Sequence, residues 1–289
     1  MRNKLFIFGF GYTAAALAKP LHAAGWAIAG TTRQTEKREQ LGALGYSISN
    51  FNESEVRALL QDATHIVSAA PLLKNFHDPV LSSFTPLLRE AASHLKWLGY
   101  LSTTGVYGDH QGAWVDETSP LKPDNDRTRG RVAAEQSWLS LGHETGIPTH
   151  IFRLAGIYGP GRNALRQLKD GTAKSIYKEG QVFSRIHVED IANIITASIS
   201  APHAGGIYNA CDDEPAPAHE VTRYAAQLLD IEPPALIPFE EAQLSDMAKE
   251  FYSNNRRVAN AKLKQELRIT LTYPTYREGL SVLFNSGTY

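Results

Sequence analysis

The first residues whose types and spacing could do chemistry are Gly9-Phe10-Gly11-Tyr12-Thr13-Ala14, which follow an apolar run at 5–8 and open a helical pattern. A glycine in the first place permits a tight turn, and one in the third lets backbone approach a bulky anion. A small residue in the last place lets the helix pack close to the strand. The helix N-terminus then offers unpaired N–H groups and the positive end of its dipole. Gly9, Gly11, Tyr12, Thr13 and Ala14 therefore read as a cradle for the paired phosphates of a dinucleotide. A tight turn that holds no ligand is the bland alternative. The next apolar run ends in Thr31-Thr32-Arg33, where a site for NAD usually places a carboxylate on the ribose hydroxyls. No carboxylate stands there. Arg33 suits bidentate pairing with a 2′-phosphate and Thr32 can donate to it, so the pattern favours NADP over NAD. Arg33 as a solvated loop residue is the competing reading.

Such residues need elements that bring strand ends together. Short apolar runs at 5–8, 26–30, 66–70 and 97–101 alternate with helical patterns at about 13–24, 34–44 and 79–95, and Asn52-Glu53-Ser54-Glu55 resembles a capping box opening a further helix. Gly25 and Gly45 stop the first two helices, and Pro20 lies inside the first. Alternation of this kind predicts an α/β fold, a Rossmann-type doubly wound parallel sheet. Ala69 and Ala70, after the fourth strand, should flank the ribose and nicotinamide of the cofactor. Beyond about residue 155 prolines and glycines thicken, and helices are expected at about 188–200, 218–229 and 240–267. The predicted division is a dinucleotide-binding domain over 1–155 and a smaller mixed α/β substrate-binding region over 156–289, with the chain re-entering the first domain around 186–210. No long flexible linker separates the two, so a cleft between them is the expected ligand site.

Several later segments, taken in order, resemble the extended short-chain dehydrogenase/reductase family, the nucleotide-sugar epimerases and dehydratases. Tyr100-Leu101-Ser102-Thr103-Thr104-Gly105-Val106-Tyr107-Gly108 looks like the strand that carries the family's catalytic hydroxyl, and counting back from Val106 puts Thr103 in that place. Arg153-Leu154-Ala155-Gly156-Ile157-Tyr158-Gly159-Pro160-Gly161, His187-Val188-Glu189-Asp190-Ile191-Ala192 and Gly206-Ile207-Tyr208-Asn209 resemble its following landmarks. The family's chemistry normally needs Tyr-x-x-x-Lys, where the tyrosine exchanges a proton with substrate and the lysine lowers its pKa and holds the nicotinamide ribose. Anchored on Glu135, those two places here hold Arg127 and Arg131. Arg131 can still supply charge and hydrogen bonds to the ribose. Arg127 cannot exchange a proton, because guanidinium keeps its own throughout the accessible pH range, although it can stabilise an oxyanion or clamp a carboxylate. No tyrosine lies between Tyr107 and Tyr158, so no shift of register restores the pair.

Three residues could replace the missing acid: Tyr107, Tyr158 and His187. Each has a plainer reading, the tyrosines as packing groups and the histidine as a helix cap. Members that take nucleotide sugars often place an arginine four residues before the histidine; Phe183 stands there, and Arg185 comes two residues later. The resemblance implies an NAD(P)-binding, epimerase/dehydratase-like oxidoreductase acting on a small polyhydroxylated or carbonyl substrate. The lost Tyr-Lys pair leaves open an NADP-binding redox sensor or interaction protein that moves no hydride.

Composition narrows the rest. Among 289 residues, 29 Lys and Arg stand against 30 Asp and Glu, a net charge of −1 that argues against nucleic acid as a partner. A single cysteine, Cys211, excludes an internal disulfide and a thiolate zinc site, and suits a reducing cytoplasm. It reads as a small buried side chain. Ten scattered histidines form no His-x-x-x-His pair, and Asp212-Asp213-Glu214 reads as a solvated loop, so no metal is expected. No apolar run is long enough to span a bilayer, and none resembles a secretory leader. A homodimer is implied by the resemblance alone.

Overall fold

The apolar run at the start forms the centre of a sheet because all five of its residues, Lys4–Phe8, are buried on both faces. The structure is a computed structural model that describes residues 2–203 and 205–289. In chain order its elements are β1 (Lys4–Phe8), α1 (Tyr12–Ala23), β2 (Ala27–Thr31), α2 (Thr35–Ala43), β3 (Ser47–Ser49), α3 (Glu53–Leu60), β4 (His65–Ser68), α4 (Pro79–Glu90), β5 (Trp97–Thr103), β6 (Trp114–Val115), α5 (Asp126–Thr145), β7 (Thr149–Leu154), β8 (Gly156–Tyr158), α6 (Ala164–Lys169), β9 (Ser175–Tyr177), β10 (Arg185–His187), α7 (Val188–Ser200), β11 (Gly206–Ala210), α8 (Ala218–Leu229), β12 (Leu236–Pro238), α9 (Asp246–Ser253), β13 (Arg257–Val258), α10 (Ala261–Leu267) and α11 (Tyr276–Ser286).

The chain divides into two units. The first comprises 1–106, 123–153 and 191–208, and the second 107–122, 154–190 and 209–289. The seven-stranded parallel sheet has the order β11-β7-β5-β4-β1-β2-β3, the Rossmann-like arrangement expected from the alternating pattern. Strand order reverses at β1, between β4 and β2, and in such sheets ligands bind beyond the carboxyl ends of the strands at that point. The loops after β1 and β4 meet there. The first unit's core includes Phe6, Phe8, Phe84, Tyr100 and Trp138.

α1 buries Ala14, Leu17, Ala18 and Leu21 along one stripe. Pro20 is tolerated inside it on the exposed side, where the missing N–H leaves a carbonyl to water. Asn52 caps α3 as expected, accepting from the Glu55 amide at 3.0 Å, but the Glu55 carboxylate accepts from the Asn50 amide (2.9 Å) and the Asn52 side-chain amide (2.7 Å) rather than from the Asn52 backbone amide. The helix expected over 240–267 is a correction. It breaks into α9, β13 and α10, because Ser245 starts a new helix and Asn254 leaves α9 in extended backbone. α4 ends at Glu90, short of 95, and a 3-10 turn at Ala91–Ser93 follows.

The second unit has its own apolar core, including Tyr158, Leu165, Ala225, Tyr276 and Leu280. Its strands pair two by two: β8 with β10, β9 with β12, β6 with β13, all parallel. No helix of the described residues is long and apolar enough to cross a membrane.

Candidate functional site

The turn after β1 is built on Gly9, whose φ of +82° is a conformation that L side chains rarely adopt. A Cβ there would also stand 2.9 Å from the Ala70 Cα, so the turn and the loop after β4 touch only because no side chain intervenes. The Gly9 amide donates to Thr31 Oγ1 (3.0 Å) and the Phe10 amide to the Thr31 carbonyl (2.9 Å), which ties the turn to the end of β2. Gly11 is the N-cap of α1 in extended backbone, and no side chain caps the helix. A ligand anion therefore meets no competing side-chain acceptor at the helix entrance, as a pyrophosphate site requires.

Beside this turn lies a cavity of about 270 Å³. Among the expected residues it gathers Gly9, Gly11, Thr32, Arg33, Ala69 and Ala70. Tyr12, Thr13 and Ala14 form the first turn of α1 without lining it; Ala14 is buried against the sheet. Gln34, Lys37, Phe51, Pro71 and Pro79 also line it and escaped the sequence reading. The Arg33 guanidinium lies over the Phe51 ring, 5.9 Å from its centroid. No carboxylate lines the cavity. A pair of cations and two glycines fit the phosphates of a dinucleotide.

At the end of β5, Thr103 is half-buried and its Oγ1 accepts the Gly105 amide at 3.0 Å, which leaves the hydroxyl proton available. Arg127 and Arg131 lie one turn apart on α5, a helix opened by the reciprocal cap of Asn125 and Thr128. Arg127 is exposed. Arg131 reaches into the sheet, where its Nη1 donates to the Tyr100 hydroxyl at 2.6 Å and to the Leu101 carbonyl at 3.3 Å. Tyr100 is buried and stacks on Trp138. Burial pushes its phenol pKa up, against the lowering influence of Arg131. Tyr100 was visible in the sequence only as the first residue of a landmark; its bond to α5 depends on the packing of helix on strand. Gly130, on the same helix, lets the loop at 72–76 come close, since a Cβ there would meet the Phe76 carbonyl at 2.3 Å.

The three remaining candidates stand in the second unit. Tyr107 is fully buried, and its hydroxyl donates to Asn209 Oδ1 at 2.7 Å. The Tyr158 hydroxyl donates to the Thr275 carbonyl at 3.3 Å, and Gly279 leaves room for the ring. His187 is buried between Tyr158 and Tyr273, with ring centroids 5.1 Å and 4.0 Å away. Its Nδ1 accepts the Glu189 amide at 3.3 Å, so it caps α7, while burial lowers its pKa against the pull of Glu189 and Asp190.

The solvated reading of Asp212-Asp213-Glu214 needs correction at its first residue. Asp213 pairs with Lys264 (2.5 Å) and Glu214 with Arg277 (3.2 Å) near the surface, but Asp212 is only 1% exposed. Cys211 is buried and donates to the Val258 carbonyl. Among the described residues no three His, Cys, Asp or Glu side chains gather as a metal set.

A glycine turn at the switch point of a doubly wound sheet, with a Ser/Thr-bearing fifth strand, defines a dinucleotide-binding α/β protein. The sequence profile of the NAD dependent epimerase/dehydratase family matches residues 5–211, and the chain belongs to that family. Protein YeeZ of Escherichia coli (strain K12) is 32% identical over 248 residues, covering 80% of this chain and 86% of YeeZ. A solved structure of a conserved protein from Silicibacter pomeroyi DSS is 44% identical with a TM-score of 0.90, covering 99% of this chain and 100% of that one. The dTDP-glucose 4,6-dehydratase of Bacillus anthracis str. Ames, solved in complex with NAD, shares the fold at 17% identity and a TM-score of 0.80, over 98% of this chain and 96% of its own. Family membership supports an NAD(P)-binding, oxidoreductase-like function.

Proposed function

We propose that the protein is an NADP-dependent oxidoreductase of the epimerase/dehydratase type, acting on a small polyhydroxylated or carbonyl substrate without a Tyr-x-x-x-Lys pair. The observation that carries this reading is the cavity after β1 and β2, which joins Gly9 and Gly11 to Thr32, Arg33 and Lys37 and presents no carboxylate. Arg33 and Lys37 hold the 2′-phosphate, the amides at the start of α1 hold the pyrophosphate, and Ala69 and Ala70 border the ribose and nicotinamide. The bound cofactor supplies or accepts a hydride. Arg131, fixed by Tyr100, supports the nicotinamide ribose; Thr103 orients the substrate oxygen; and Arg127 binds a developing oxyanion or a carboxylate. NADPH and NADH titrated into the wild type and Arg33→Ala test the reading. A preference for NADPH that the substitution removes supports it, and equal affinity in the wild type refutes the NADP assignment.

Arginines in both places of the missing pair favour one second reading, a cofactor-binding sensor that moves no hydride. NADPH oxidation over a panel of carbonyl compounds separates the two: turnover excludes the sensor, and tight binding with none across the panel supports it. The single buried Cys211 is in keeping with a cytoplasmic protein. The family resemblance suggests a homodimer, which light scattering tests by a mass twice that of the chain.

A further inference from the structure

The interior of the second unit holds polar groups whose hydrogen bonds the chain does not complete. In the β8–β10 ladder Arg185 stands opposite Gly156 and His187 opposite Tyr158, so Arg185, His187 and Tyr158 share one face. Gly156 presents no side chain beside Arg185; a Cβ there would stand 3.8 Å from the Arg185 Cγ and 3.3 Å from the Ser184 carbonyl. One end of the guanidinium is fixed, with Nη1 donating to the carbonyls of Phe183 (2.8 Å) and Ala216 (2.9 Å). The Asp212 amide donates to the Arg185 carbonyl at 2.7 Å, which holds the two residues side by side. Their charges interact, and the Glu214 and Arg185 amides lie near enough to lower the Asp212 pKa against the raising effect of burial, yet neither carboxyl oxygen has a hydrogen bond of good geometry. The Tyr276 hydroxyl, within electrostatic reach of the same guanidinium, also lacks a partner. Asp212 and Tyr276 are each 1% exposed. Buried polar atoms are rarely left unmet in native proteins, so a group from outside the chain is called for.

We propose that Arg185, Asp212 and Tyr276 form a recognition site for two neighbouring hydroxyls of a polyol. The donors and acceptors select the ligand class. An ammonium would meet Arg185, and an anion, which only accepts, would leave a carboxyl oxygen of Asp212 unmet. A hydroxyl accepts from the guanidinium and donates to a carboxyl oxygen at once, and it brings no net charge to bury. The carboxyl group and the Tyr276 hydroxyl together can meet two neighbouring hydroxyls. Tyr158 and Tyr252, whose hydroxyls also interact with Arg185, border the site with aromatic side chains. The proposal rests on the functional reading above only in taking this polyol to be the substrate.

Thermal denaturation of the full chain, with myo-inositol, D-glucose and D-sorbitol as probes and acetate and ethanolamine as controls, tests the site. The wild type should melt higher with at least one polyol and with neither control. Asp212→Asn and Tyr276→Phe should each raise the half-saturating polyol concentration roughly tenfold or more. Asp212→Asn alone should melt no lower than the wild type, since it removes an unpartnered buried carboxyl, whereas a purely structural Asp212 would leave it less stable. No polyol shift in the wild type, a shift with acetate alone, or a shift that survives both substitutions overturns the proposal. NADPH binding measured on the same samples keeps the questions apart: binding without a polyol shift sinks this site and leaves the cofactor reading standing, and no binding sinks that reading itself.

Discussion

Two carboxylates are buried in this molecule beside an arginine, and they are treated in opposite ways. In the first unit Glu135, 2% exposed, accepts from Ser102 Oγ at 2.5 Å and from the Nε and Nη2 of Arg153 at 3.2 Å and 2.8 Å. It bolts α5 to β5 and β7, and its hydrogen-bonding capacity is met within the chain. In the second unit Asp212 is as deeply buried and is held beside Arg185 by a backbone bond, but neither of its oxygens has a well-formed hydrogen bond within the chain. The contrast separates two uses of a buried charge. A fully bonded pair fixes one packing arrangement, while an unmet one keeps capacity for something the chain does not supply.

The contrast can be broken by substitution. Removing one partner of a satisfied buried pair leaves an uncompensated charge, so Glu135→Gln should lower stability by about 3–5 kcal/mol in urea unfolding. A loss no greater than that of Asp212→Asn would erase the distinction. The second effect is on pH. Burial pushes the Asp212 carboxyl up to about 8, with Arg185 opposing the shift and Asp213 reinforcing it, while an unfolded aspartate titrates near ~3.9. Between those values the folded state holds a proton that the unfolded chain has lost. The contribution of this group is therefore complete below about pH 4 and is lost as pH rises through about 8. Urea midpoints across that range should fall less with pH in Asp212→Asn than in the wild type, and identical slopes would contradict the assignment.

The same distinction between settled and waiting groups runs through the first unit. Arg33 and Lys37 face a cavity, whereas Arg131 is already held by Tyr100. Arg33→Ala should weaken NADPH binding by about 1.5–3 kcal/mol, roughly tenfold to a hundredfold, and leave NADH nearly unchanged, as read by fluorescence titration. Tyr100→Phe keeps the ring against Trp138 and removes only the hydroxyl. It should weaken NADPH and NADH alike by about 0.5–1.5 kcal/mol with little change in melting temperature. A large drop in melting temperature with affinity intact would make Tyr100 a packing residue and nothing more.

The sheet and the glycine turn were legible because their signals are local. Gly9, Gly11 and Ala14 sit within six residues, and a run such as Leu5 to Phe8 marks a strand buried on both faces whatever surrounds it. Lys37 and Phe51 were not legible, since α2 and the loop after β3 bring them to the cavity only once the sheet has formed. Asp212 misled for a related reason. An Asp-Asp-Glu run reads as solvated, and only the packing of β8, β10 and α11 around it encloses its first member. The absence of the Tyr-Lys pair was plain from residue identity, but that Arg131 would be held by Tyr100 lay in the packing of α5 on β5.

Calorimetric titration of the pure, folded chain with NADPH and then NADH tests the central claim most directly. Binding of NADPH at a single site, tighter than NADH, is the predicted result. The absence of heat with either coenzyme at millimolar concentration would contradict it, because the amides after Gly11 would then grip no dinucleotide.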